Sequence, residues 1–123
     1  MASVFEATAG KSIGYTSGLG GAVTQATSKS TGVTLNKVCG QITTHDASLA
    51  AAAEVAFTVT NSFVAATDVV VASIASGGTS GAYNLQVSAT AAGSFDLALG
   101  NMSAGSLGEA VVINFAVIKA AAA

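Results

Sequence analysis

Apolar residues fall at every second position through most of the chain, the pattern of strands that bury one face. Over residues 54–62, Val55, Phe57 and Val59 alternate with Ala56, Thr58 and Thr60. Residues 82–90 place Tyr83, Leu85, Val87 and Ala89 on one face, and residues 94–100 set Phe95, Leu97 and Leu99 opposite Asp96 and Ala98. Residues 109–119 carry Val111, Ile113, Phe115 and Val117 against Val112, Asn114, Ala116 and Ile118. Both faces are apolar apart from Asn114, which predicts a central strand. Residues 67–76 form a run of β-branched side chains suited to a pleated surface. Shorter Val-, Ile- and Thr-rich segments at 22–26, 33–36 and 38–44 bring the predicted strands to eight. Glycine-bearing breaks separate them, notably GLGG at 18–21, GGTSG at 77–81 and Ala92-Gly93.

Such spacing predicts an all-β fold, an antiparallel β-sandwich of jelly-roll or immunoglobulin-like type with about eight strands. Its expected core is Val55, Phe57, Val59, Leu85, Val87, Phe95, Leu97, Leu99, Val111, Ile113 and Phe115. Residues 1–20 are expected to be an N-terminal arm or attachment segment, 21–119 the sandwich, and 120–123 a frayed tail. One segment fits poorly. Residues 46–54 (DASLAAAAE) offer a helix N-cap at Asp46 and repeated alanine, with Leu49 as the single large anchor. They read as a loop or brief helix leading into the strand at Glu54.

Composition narrows the chemistry. At 51% hydrophobic the chain is not of the disordered class, yet only 8% of its residues are charged. Four Lys, no Arg and six acids give a net charge of −2, which argues against nucleic acid as a partner. One His and one Cys cannot build a structural zinc site. No apolar run approaches the ~18 residues of a membrane span, so no membrane partner is expected. The N-terminus has neither a basic region nor an apolar run of export type, implying synthesis in a cytoplasm.

Candidate motifs are sparse, and each has a plainer structural explanation. Gly10-Lys-Ser-Ile-Gly14 matches the G-x-S-x-G pattern of a nucleophile elbow, but no acid lies between Ser12 and His45, the sole His. Gly10-Lys11-Ser12 imitates the end of a P-loop, whose first Gly would fall on Phe5. Cys39, His45 and Asp46 suggest a Cys–His nucleophile without an orienting acid, or a small buried strand thiol followed by a polar turn. The acids Glu6, Asp46, Glu54, Asp68, Asp96 and Glu109 are scattered singly, unlike a glycosidase pair. Asn101-Met-Ser103 is a chance sequon. No catalytic, metal-binding or cofactor-binding residue is expected, and an enzyme is the least supported class. Cys39 has no intrachain partner, so it is expected to be a free, slowly alkylated thiol, and any disulfide would join two chains.

Residues 14–37 (GYTSGLGGAVTQATSKSTGVTLNK) resemble a family of small structural proteins of tailed phages and prophages. Similarity continues through CGQI at 39–42, FTVTN at 57–61, ATDVVV at 66–71 and NFAVIK at 114–119, and so spans residues 14–119. The VTQATSKSTGVTLN block at 23–36 is its most distinctive part. The resemblance implies a bacteriophage virion protein of β-sandwich type, often trimeric, that decorates the capsid or projects from it as a head fibre. The major capsid protein would be its partner and the capsid surface its location. A tail-fibre module that contacts a host glycan is the alternative. Low charge and two strands apolar on both faces predict a self-associating subunit, because a small sandwich has only one internal layer. Closed symmetry would dispose of the surplus apolar surface, and the resemblance makes the assembly a homotrimer.

Overall fold

A computed structural model describes residues 12–123, so part of the expected N-terminal arm lies outside the described residues. Eight strands form: β1 Gly20–Thr24, β2 Val33–Thr34, β3 Cys39–Thr43, β4 Glu54–Thr60, β5 Val69–Gly77, β6 Tyr83–Ala91, β7 Ser94–Asn101 and β8 Val111–Ile118. They make two four-stranded sheets, ordered β1-β3-β8-β5 and β2-β4-β7-β6. The fold is all-β and sandwich-like, as the period-two pattern predicts.

The chain changes sheet at every connection except one, the turn from β6 to β7. A strand that leaves a sheet and re-enters it after one strand elsewhere returns in its original direction. Hence β1 pairs parallel with β3 and β2 with β4, while the remaining pairs are antiparallel. Both sheets are therefore mixed, not purely antiparallel as expected, each carrying its parallel pair at one edge. The β6–β7 turn uses Ala92 and Gly93, with Gly93 at φ 85°. Only glycine adopts that conformation without a Cβ clash. Gly93 also accepts from the Asn61 amide and donates to the Val64 carbonyl, which fastens the hairpin tip to the loop after β4.

Alternating side chains of both sheets fill the space between them. Phe57, Val59, Phe95, Leu97 and Leu99 from one sheet meet Ile42, Val70, Val111, Ile113, Phe115 and Val117 from the other. Phe95 and Phe115 touch across the layer, ring centroids 5.3 Å apart and tilted by 53°. That offset geometry suits the aromatic quadrupoles. The expected core residues all belong here, with Val55, Leu85 and Val87 partly buried at its margin. Residues 46–53 contain no helix. Leu49 is buried and forms an isolated bridge with Leu107, and the turn Ala50–Ala53 holds Ala52 at φ 58°. Alanine propensity is overridden because Leu49, the one large apolar side chain, is drawn into this bridge.

Candidate interaction surface

The isolated chemical motifs do not converge. Ser12 and Gly14 lie in exposed irregular chain that runs into β1 with no helix after it, and Gly10 and Lys11 lie outside the described residues. Cys39 opens β3 while His45 follows its far end, ~13 Å away along four residues of strand. His45 Nδ1 instead accepts the Ala47 amide at 2.9 Å and lies 3.4 Å from exposed Asp46. The remaining described acids each hold a local partner. Asp96 accepts from Thr58, Glu54 from Gln86, Glu109 from Tyr83, and Asp68 from Lys119. Among the described residues no three His, Cys, Asp or Glu side chains are grouped to hold a metal. Asn101 is 2% exposed, and its Nδ2 donates to the carbonyls of Leu49 and Gly105, both at 2.9 Å, so the sequon asparagine is an internal brace.

Two polar residues of the 23–36 block, Gln25 and Lys29, also turn inward. Gln25 is buried; its Nε2 donates to the Lys29 and Thr31 carbonyls, and its Oε1 accepts the His45 amide. Lys29 is 4% exposed, and its ammonium donates to the carbonyls of His45 and Glu109. Burial pushes its pKa below the ordinary lysine value, and the charges of Asp46 and Glu109 partly restore it. Thr44 closes the same end by accepting the Val111 amide at 2.9 Å. Asn36 accepts the Ser62 amide from the neighbouring loop. Gln25, Lys29 and Thr44 therefore plug one end of the sandwich, where buried polar groups must be satisfied. Sequence reasoning missed Gln25 and Lys29 because a lysine among serines reads as solvated. The density of Gln, Lys, Thr and Asn in a single short loop was the available signal.

The two outer faces differ in chemistry. On the β2-β4-β7-β6 sheet, Glu54, Thr58, Thr60, Asn84 and Gln86 point outward, and Thr58 with Asp96 and Gln86 with Glu54 bond across strands. On the other sheet the outward register pairs Val69 with Ile118, and Val71 with Ala116, which also faces Cys39. Val69, Val71 and Ile118 are 53%, 50% and 51% exposed. Exposed Ile13 and Tyr15 extend this apolar end, and the Tyr15 hydroxyl donates to the Val117 carbonyl. Between these residues and β8 lies a groove of about 860 Å³ lined by Ile13, Tyr15, Cys39, Ala116 and Ile118 with Lys119 at its rim. Cys39 thus departs from expectation: its thiol is half-buried and lines an open groove, because the odd positions of β3 face outward while Gly40 and Ile42 face the core.

Among the described residues lining the groove the one charged side chain is balanced. Lys119 pairs with Asp68, whose side chain is 1% exposed. The Lys119 hydrogen bond, followed by the Ala65 amide, holds the Asp68 carboxyl below its ordinary pKa. Comparison of the chain with protein-family models, with curated proteins and with solved structures finds no match.

Proposed function

We propose that this chain is a structural virion protein of a tailed bacteriophage, a homotrimer that decorates the capsid or projects from it and contacts the major capsid protein. The observation that carries the reading is the resemblance over residues 14–119, centred on the VTQATSKSTGVTLN block. The architecture is compatible in kind. Gln25 and Lys29 of that block are spent on closing the sandwich, and the described acids are tied to local partners. What the molecule offers other molecules is area and shape. Such a protein would act by bridging or extending a shell, without turnover.

The test is a density map and quantitative mass spectrometry of particles produced from the genome that encodes the chain. The expected result is the chain on the head at a copy number proportional to the capsid subunits. Absence from particles would overturn the reading. Density confined to the tail tip would replace it with the receptor-contact alternative, a glycan-binding module.

A further inference from the structure

We infer that the apolar end of the outer β1-β3-β8-β5 face, with the groove beside it, is where a second copy of this chain docks. The inference rests on the self-assembling subunit proposed above and names the surface that subunit would use. Val69, Val71 and Ile118 stand together there at half exposure or more, continuous with Ile13 and Tyr15, whereas the opposite face of the sandwich is dressed with Glu, Thr, Asn and Gln. A contiguous apolar patch set against a polar opposite face marks an interaction site.

Charge decides the occupant. Among the described residues lining the groove the one cation, Lys119, is paired with Asp68, so that lining offers little charge to an acidic or basic partner. A complementary surface must be apolar and near neutral, and this face of the chain is itself such a surface. The adjoining edge points the same way. Among the described residues β5 pairs only with β8, leaving its other edge open, and its nine residues VVVASIASG contain no charge and no proline. Natural edge strands are normally guarded by Lys, Pro or a bulge against pairing with another chain. The bulge between Ile74 and Ser76 protects only the distal end, leaving the part beside the patch unguarded. Copies packed around a closed axis through this face would cover the groove, the ridge of β5 and the Cys39 thiol together.

The experiment is light scattering on the whole chain with parallel alkylation of Cys39 by a maleimide, applied to wild type, Val71→Lys, Ile118→Lys and, on the opposite face, Gln86→Lys. Far-UV circular dichroism establishes that each is folded, and Val71→Ser stands in if the lysine variant is not. Wild type and Gln86→Lys are expected to be oligomers of the 11.8 kDa chain with a protected thiol. Val71→Lys and Ile118→Lys are expected to be monomers whose thiol reacts at least about tenfold faster, since thiol reactivity follows access. A monomeric wild type, or folded patch variants that keep the oligomer, would overturn the inference. Oligomers that dissociate as described yet never enter particles would leave this interface standing and remove the virion reading. Monomers found on capsids would do the reverse.

Discussion

Two asparagines fix the ends of neighbouring strands by the same device. Asn61 follows β4, and its Nδ2 donates to the Leu35 and Lys37 carbonyls while its Oδ1 accepts the Phe63 amide. Asn101 closes β7, donating to Leu49 and Gly105 and accepting from the Ser103 amide. Each is essentially buried and bonds three backbone groups. Replacing either by Ala removes three hydrogen bonds. The Leu35, Leu49 and Gly105 carbonyls keep the Lys37 amide, the Leu107 amide and the Ser103 hydroxyl. The cost therefore falls on the Lys37 carbonyl and the Phe63 and Ser103 amides, at about 1–3 kcal/mol for each group left unpaired. Urea titration should therefore show losses of about 2–4 kcal/mol for Asn61→Ala and Asn101→Ala. The aspartate variants keep the acceptor but lose both donors, and should be no better. Ala52 gives the opposite expectation. Its φ of 58° carries a left-handed penalty of about 1–2 kcal/mol that glycine avoids. Set against the extra freedom glycine gives the unfolded chain, Ala52→Gly should gain up to about 1 kcal/mol in the same titration.

At the level of elements, the parallel pair β1–β3 depends on close backbone approach. A Cβ at Gly40 would lie 2.5 Å from the Gly21 carbonyl oxygen and 2.9 Å from Leu35 Cδ2. Relief requires β1 to move away from β3, so Gly40→Ala should cost about 1–3 kcal/mol, read from the urea midpoint. It should also raise amide exchange selectively in β1. The strands themselves were legible because alternation is a local signal: Phe57, Phe95 and Phe115 announce their own faces. Pairing direction was not. Parallel neighbours arise from sheet changes, which no residue within β1 or β2 encodes. The inward turn of Gln25 and Lys29 was hidden for the same reason, since their partners His45 and Glu109 lie 16 or more residues away. The surplus apolar surface was legible in the doubly apolar runs at 67–76 and 109–119, but not its concentration at one end, which needed the β5–β8 register and the position of Ile13 and Tyr15.

Across the whole molecule, stability should bend at both ends of the pH scale. Asp68 is held below its ordinary pKa chiefly by Lys119, and Glu109 by hydrogen bonds from Thr79. A depressed carboxyl contributes stability above its unfolded value and loses it as pH falls through the folded one. The urea midpoint should therefore drop below about pH 4, the unfolded carboxylate range, and Asp68→Asn should flatten that limb. Burial, with the Glu109 hydrogen bond, pushes the Tyr83 phenol up to about 12. Its contribution is complete below about pH 10 and disappears as pH rises from there towards 12, so Tyr83→Phe should blunt the alkaline fall. The connectivity carries a further consequence, in time. Only β6 and β7 are neighbours both along the chain and in a sheet; every other pairing must first close a loop around a strand that belongs elsewhere. Refolding governed by such distant pairings falls in the millisecond-to-second range, with a transition state organised around the one local hairpin. During that delay the uncharged β5 segment has no cover, and association between half-formed chains competes with folding. The recovered yield after dilution from urea should accordingly fall as chain concentration rises, and a lysine at Val71 should restore it.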